Sequence, residues 1–442
     1  MKLKKISMIT LGCSKNEIDS ELMISILTDN NYTVANSLDE AETIIVNTCG
    51  FIDKAKEESI ETIWEMTKYK VEGNCKYLIL SGCLAERYAQ ELMDEITDID
   101  AVVGPGNIKE ISSIIKELEM ENQKIKKTGN INTDYLEEVN RINFNITEYV
   151  RISEGCDNFC TYCIIPKLRG KHRSRKIEDI FKEVENLANN GTKEIILIGQ
   201  NTSDYGIDLY GEYSLYKLLD KLNSINGISW IRVLYLYPDN FNNRLIQSIK
   251  NNEKVVKYVD IPLQHMSNNV LKRMNRKTSK EDIISLINKL RQEIPGIVIR
   301  TTFIVGFPGE TEEEFNELYT FIKDIKFDRL GVFAYSREED TPAYNLPDQV
   351  SEEVKEMRKN KIMMLQQNIS EEIMSDKVGN VFDVLVEELS EENSYIGRTY
   401  MDSPDIDGVV YINSSQDIDL GDFVTVKITD SLEYDLIGEV IK

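Results

Sequence analysis

Short apolar runs alternate with longer mixed stretches along most of the chain, and the first three share one layout. KISMITLGC, ETIIVNTC and KYLILSGC are each a nearly continuous apolar run ended by turn residues, the pattern of a strand buried on both faces. Helical apolar spacing follows each of them, beginning near Glu17, Ile52 and Leu84. Residues 1–120 are therefore expected to form a doubly wound α/β domain, ending in DIDAVVG and a helix from about Asn107. The next stretch, ENQKIKKTGNINTDYLEEVNR over 121–141, has little apolar periodicity and reads as a linker. Alternation then resumes: YVRIS, EIILIG, IRVLYLY, VVKYVDI, GIVIRTTFIVG and RLGVFAY are each followed by a loop or helix. Six such units over 142–374 predict a partial (β/α)6 TIM-like barrel with its chemistry on loops at the strand C-termini. A long helix from about Ser351 to Met374 leads out of it. Residues 375–442 hold five short alternating runs broken by Gly, Asn and Asp, which predict a small antiparallel β-barrel.

Composition narrows the class. At 442 residues, 41% hydrophobic and 29% charged, the chain suits a multidomain soluble α/β enzyme with two or three cores. MKLKK followed by ISMITLGC imitates a lipoprotein leader, but the apolar stretch is short and Glu17, Asp19 and Glu21 follow at once. No apolar run reaches membrane-spanning length, so no membrane association is expected. The formal net charge is −24, and Ser375 to Lys442 contributes 16 acidic residues against 4 basic ones. Such a surface repels phosphates, so RNA binding by the terminal domain is not expected to dominate; it attracts a basic partner, or it serves solubility alone. Against the trend, Lys167, Arg169, Lys171, Arg173 and Arg175 form a basic segment that could hold a carboxylate of a cofactor or substrate, or cap a helix.

The cysteines define the candidate chemistry. There are seven, an odd number arranged as ligand sets, which points to a reducing cytoplasm. Cys156, Cys160 and Cys163 in GCDNFCTYCIIPKLRG form C-x3-C-x2-C. A zinc knuckle would require a fourth ligand, for which His172 in KHRSR is the only nearby candidate. On a 4Fe-4S cubane, three thiolates leave one iron open; that iron can bind the amine and carboxylate of S-adenosylmethionine, whose reductive cleavage yields a 5'-deoxyadenosyl radical. Cys13, Cys49 and Cys83 each close a strand-to-helix turn, and in a parallel sheet such turns share one edge, so three more thiols converge there. The competing reading is three buried structural cysteines. Cys75 precedes its strand and reads as a spectator.

LGCSKNEIDSE, the three-cysteine first domain, GCDNFCTYCIIPKLRGKHRSR, GFPGETEEEF and the TRAM-like terminal β domain together resemble the radical S-adenosylmethionine methylthiotransferase family over the whole chain. Two substrates occur in that family: adenosine in transfer RNA, and an aspartate of small-subunit ribosomal protein twelve. GCSKN at Gly12 to Asn16, VLYLYP at Val233 to Pro238, DIPLQH at Asp260 to His265 and YSREEDTPAY at Tyr335 to Tyr344 resemble the ribosomal-protein branch, while GQN at Gly199 to Asn201 is closer to the transfer RNA branch. The acidic terminal domain suits a Lys- and Arg-rich ribosomal protein as partner. The resemblance implies two 4Fe-4S clusters, a radical one on Cys156, Cys160 and Cys163 and an auxiliary one on Cys13, Cys49 and Cys83. It implies S-adenosylmethionine as radical source and methyl donor, and an external reductant and sulfur source. The hydrogen removed would be that of the aspartate β-carbon, a step that needs no general base. Tyr162 resembles the family aromatic near the cofactor adenine, or packs its own loop. Gly199 and Gly306 stand at strand ends where backbone can approach the cofactor, or simply turn. Thr311 and Glu314 form a candidate capping box. His265 reads equally as a satisfied structural residue. A different class, an electron-transfer iron-sulfur protein, would complete each cluster with a fourth ligand.

Overall fold

Six short parallel strands make the first sheet: β1 (Lys4–Thr10), β2 (Tyr32–Val34), β3 (Thr43–Thr48), β4 (Tyr77–Ser81), β5 (Ala101–Val103) and β6 (Ile125–Lys127), in the order β2-β1-β3-β4-β5-β6. The computed structural model describes residues 3–121, 123–133, 141–391 and 393–441. Every residue of β3 is buried, which is why its sequence shows no polar alternation. One apolar cluster lies on each face of the sheet, one including Leu22, Met23 and Ile115, the other Ile63, Met66 and Leu84. The helices α1 (Ser14–Asp29), α2 (Asp53–Glu72) and α3 (Gly82–Arg87) follow β1, β3 and β4. The strand order reverses between β1 and β3, the switch point at which doubly wound sheets place their ligands.

The stretch read as a linker is partly structural. Ile125 is buried, and β6 pairs with β5 from Ala101–Ile125 to Val103–Lys127. Three residues are too few to display a period, so the sheet partner rather than the local pattern makes this a strand. Residues 122 and 134–140 of that reading lie outside the described residues.

The central unit contains all six expected strands. β7 (Thr147–Arg151), β8 (Glu194–Ile198) and β9 (Trp230–Val233) form one parallel sheet, and β10 (Tyr258–Asp260), β11 (Val298–Val305) and β12 (Arg329–Ala334) another. An Ile231–Val255 bridge joins them at the β9–β10 seam, giving an open six-strand barrel. Thr311 accepts from the Glu314 N–H at 3.2 Å and Glu314 accepts from the Thr311 N–H at 2.9 Å, the expected capping box.

After the long helix α4 (Glu352–Ser375), the chain closes a five-strand barrel of β13 (Val381–Glu391), β14 (Ser394–Arg398), β15 (Val410–Asn413), β16 (Phe423–Ser431) and β17 (Leu436–Val440). Four of its ladders are antiparallel; β15 and β17 pair in parallel, which corrects the all-antiparallel expectation. The segment between β14 and β15 reaches into the central barrel. There Asp402 pairs with Arg329, Asp407 accepts from Tyr258 at 2.6 Å, and Arg232 donates to the Tyr400 carbonyl at 3.0 Å. Glu194, fully buried, lies between Arg232 at 2.7 Å and Arg398 at 2.6 Å. Several of the terminal domain's acidic residues are thus internal ties, and the docking expectation rests on the exposed ones, among them Asp383, Glu388, Asp417, Asp419, Asp422 and Asp430. No helix among the described residues is long and apolar enough to cross a membrane.

Candidate active site

Cys13, Cys49 and Cys83 end β1, β3 and β4 and stand together at the C-terminal edge of the first sheet. Cys13 is the residue that caps α1, and Cys83 lies in the first turn of α3, positions where a helix dipole favours a thiolate. The three turns interlock. Asn16 donates to the carbonyls of Leu11 at 2.8 Å and Thr48 at 3.1 Å, Asn47 donates to the Asn16 carbonyl at 2.8 Å, and Thr48 donates to the Ser81 carbonyl at 2.6 Å. Gly12 has φ +94°, and a Cβ there would lie 2.7 Å from Cys49 Cβ and 3.0 Å from its sulfur. Gly82, at φ +92°, would place a Cβ 2.3 Å from the Thr48 carbonyl oxygen. Only glycine allows the turns to approach so closely.

The second triad lies in the loop after β7. The Cys156 N–H donates to the Gly170 carbonyl at 3.1 Å and the Cys163 N–H to that of Cys160 at 3.0 Å. Thr161 pins the loop to the second half of the barrel, donating to the Met274 carbonyl at 3.1 Å and accepting from the Ala343 N–H at 2.8 Å. Tyr162 packs edge-on to Phe307, ring centroids 6.5 Å apart, and its hydroxyl faces the Cys160 sulfur. Arg276 also donates toward that sulfur while its guanidinium stacks 3.9 Å from the centroid of Tyr237.

Burial pushes the Cys83 thiol up to about 11 and that of Cys156 up to about 12, and raises Cys49 and Cys163 as well; neighbouring thiols of the same triad add to each shift. The sulfurs of each set therefore lie within electrostatic range of one another, and a metal centre would supply the positive charge that buried thiolates need. Among the described residues, no three His, Cys, Asp or Glu side chains close on a single ion. A cubane does not ask this of them, because its thiolates bind different irons. The Nε2 of His172, the nearby candidate for a zinc ligand, lies 3.1 Å from Ser174 Oγ and 3.8 Å from Asp208. Cys75 donates to the Tyr77 carbonyl at 3.3 Å beneath the first sheet, away from both sets.

Arg169 ties the first triad to the loop that carries the second. It belongs to the loop that follows Cys163, yet its Nε donates to Cys83 Sγ at 3.3 Å and its Nη2 to Asn16 at 2.8 Å. Its Nη1 pairs with Asp19 at 2.7 Å and Glu154 at 3.4 Å, and Arg151 pairs with the same two carboxylates at 2.7 and 2.9 Å. All four charged side chains are buried. The basic segment is therefore largely structural. Arg175 reaches Asp179 and Glu183, each at 2.6 Å, Arg173 donates to the Lys171 carbonyl at 2.8 Å, and Lys167 pairs with Asp340 at 3.1 Å.

The other expected contacts are more mixed. Gly199 abuts Ser153, whose Oγ would lie 2.4 Å from an added Cβ. Gly306 turns at φ +71°, and its N–H already donates to Glu310 at 2.8 Å. His265 accepts the Ser267 N–H on Nδ1 at 3.0 Å and directs Nε2 to Glu310, 3.6 Å away, which is itself paired with Arg358 at 2.7 Å. It buttresses the GFPG turn. Sequence reasoning quoted Asn201 and Tyr237 only as parts of the GQN and VLYLYP segments and passed over Asp239; they follow β8 and β9, the Tyr237 hydroxyl faces the Cys160 sulfur, and Asn201 and Asp239 hold sealed polar atoms without a protein partner. For Asp239 the signal was its place just beyond a strand end.

Three family models match the chain: the uncharacterized protein family UPF0004 over residues 5–104, the Radical SAM superfamily over 150–322 and the TRAM domain over 378–441. Among solved structures, the radical S-adenosylmethionine methyltransferase TsrM from Kitasatospora setae, with cobalamin and a [4Fe-4S] cluster bound, shares the fold at TM-score 0.58 and 14% identity, over 77% of each chain. The ribosomal protein uS12 methylthiotransferase RimO of Clostridioides difficile (strain 630) is 51% identical over 99% of both chains, and that of Clostridium perfringens (strain 13 / Type A) is 52% identical over 99% of this chain and 98% of its own. With half of its residues shared from end to end, the chain belongs to the family of the ribosomal protein uS12 methylthiotransferase RimO.

Proposed function

We propose that this enzyme transfers a methylthio group to the β-carbon of an aspartate in ribosomal protein uS12, using two 4Fe-4S clusters and S-adenosylmethionine. The observation that carries the reading is Cys83 of the first triad, which packs with Ile164 and Leu168 and accepts from Arg169, all three in the segment directly after Cys163 of the second triad. Cys156, Cys160 and Cys163 would hold one cluster and Cys13, Cys49 and Cys83 the other, each with one iron left for a non-protein ligand. When bound, the clusters and cofactor supply the one-electron chemistry, the sulfur and the methyl group. The chain's own residues would bring the two triads to one site and keep water from it. Tyr162, Gly199 and Gly306 would contact the cofactor, and the unpartnered polar atoms of Asn201 and Asp239 suit a polar ligand. An external reductant and sulfur source are required.

The curated relatives are uS12 methylthiotransferases by name, and the exposed acidic face of the terminal barrel suits a basic protein rather than RNA. Gln200, of the GQN segment that favours transfer RNA, donates its amide to buried Glu154 and so is engaged within the protein. The enzyme would act in the cytoplasm, where ribosomal proteins are made.

The test is the intact mass of uS12 from cells with and without the gene, mapped by fragmentation. A methylthio increment on one aspartate that vanishes with the gene supports the reading. Unchanged uS12, with a methylthio group lost instead from transfer RNA adenosine, overturns it. In the reconstituted protein, single variants at Cys156, Cys160 or Cys163 should abolish reductive cleavage of S-adenosylmethionine, whereas those at Cys13, Cys49 or Cys83 should retain it. No cleavage by the unmodified protein would favour electron transfer.

A further inference from the structure

Lys15 is the exception among the buried cations. Every other buried lysine or arginine among the described residues has a carboxylate within ion-pair distance, including Arg141, Arg151, Arg175, Arg358 and Lys355. Lys15 is only 8% exposed and has neither an ion pair nor a hydrogen bond among the described residues. Its ammonium instead lies 3.6 Å from the centroid of the Tyr235 ring. A cation–π contact of this kind contributes at most about 2 kcal/mol, and the ammonium is not among the sealed polar atoms of the described residues, so it stays open to an anion from outside the chain. The site is thus built for a cation and lacks an anion.

Its position indicates which anion. Lys15 stands in the first turn of α1, two residues beyond Cys13, at the edge where the first triad gathers. Tyr235 stands two residues beyond β9, on the barrel rim that carries the other triad. Its N–H donates to Asp260 at 2.9 Å, its carbonyl accepts from the Thr202 N–H at 3.1 Å, and its backbone is held at φ +61°. A left-handed non-glycine residue fixed from both sides is a costly arrangement that persists where a ring must be aimed. GCSKN and VLYLYP, two of the segments that resemble the ribosomal-protein branch, therefore touch through Lys15 and Tyr235. In an aspartate side chain, the carboxylate is bonded directly to the β-carbon. A fixed ammonium that holds that carboxylate places the reacting carbon, and it offers nothing comparable to a neutral adenine.

We infer that Lys15 is a specificity-determining residue that binds the side-chain carboxylate of the target aspartate, held in place by the face of Tyr235. The inference rests on the uS12 reading above. The test is a binding cycle on the full-length reconstituted protein, comparing it with K15M and K15Q. The probes are a uS12 peptide spanning the target aspartate and the same peptide with that residue changed to asparagine.

The unmodified protein should prefer the aspartate peptide by about tenfold to a hundredfold, the range for a buried charge-assisted contact. In both variants the ratio should fall to within about twofold of unity. A ratio retained in either variant that still binds its clusters overturns the inference. A variant that instead loses affinity for S-adenosylmethionine, with the peptide ratio intact, assigns Lys15 to the cofactor carboxylate and also overturns it. Methylthiolated uS12 in cells combined with a retained ratio refutes Lys15 alone; absence of that modification removes the reading and the inference together.

Discussion

Removing the Arg169 guanidinium should loosen the joint between the first sheet and the central barrel. Asp19, Glu154, Arg151 and Arg169 form a buried set with balanced charge, each side chain at most 2% exposed. Arg169→Gln would leave two carboxylates facing Arg151 alone, one buried negative charge in excess, and would strip donors from Asn16 and Cys83. Breaking a buried pair from one side costs about 3–5 kcal/mol, a large share of the roughly 5–15 kcal/mol that holds a domain folded. The chain's two tryptophans suit the assay. Trp64 lies on α2 of the first domain, and Trp230 lies on β9 with its ring 4.8 Å from that of Phe423 in the terminal barrel. Urea unfolding in W64F and W230F backgrounds would then report each side of the joint, with a lower midpoint expected for both in R169Q. Restoring charge balance with D19N/R169Q should recover part of the loss, a coupling of about 1–3 kcal/mol. Arg169→Lys keeps the charge but not the fork and should fall between. If R169Q unfolds within about 1 kcal/mol of the parent, or if the double variant costs the sum of the singles, the buried set is not the clamp described above.

Other outcomes follow from the same geometry. Gly12→Ala would force a Cβ to 2.7 Å from Cys49 Cβ at a left-handed φ, so the reconstituted variant should lose about half of its iron and keep the spectrum of the cluster on Cys156, Cys160 and Cys163. Burial pushes the Glu183 carboxyl up, but Arg175 and Arg141 outweigh it and hold the group below its usual range. Its stabilisation is therefore complete above about pH 4.3 and lost as pH falls through the lower folded value. Acid unfolding of E183Q should accordingly be less steep below that pH than that of the parent. Binding of uS12 should weaken as salt rises from about 0.05 to 0.5 M, and D419K/D422K should weaken it at low salt with little change in the salt-independent part. Affinity that ignores both would rule out electrostatic docking by the terminal barrel.

Local pattern determined most of the architecture. Apolar runs ended by Gly-Cys or Thr-Cys marked β1, β3 and β4, most plainly in β3, which is buried on both faces and has no polar side to show, and the six barrel strands were legible as apolar runs separated by loops and helices. Cysteine spacing marked Cys156, Cys160 and Cys163 as one candidate ligand set, because a single loop supplies all three. β6 escaped notice, since three residues carry no period and only β5 gives them a partner. The parallel pairing of β15 with β17 was equally hidden, because alternation reports a strand's faces and not its direction. The basic run after Cys163 showed charge but not destination. That Arg169 crosses to Cys83 while Arg175 turns inward to Glu183 depends on elements far apart in the chain. The same holds for Lys15: its sequence neighbours made it one polar residue of a helix start, and only packing against Tyr235, 220 positions further along the chain, made it a buried cation without an anion. Periodicity is a short-range property and is written locally, whereas electrostatic pairing is settled by which distant surfaces folding brings into contact.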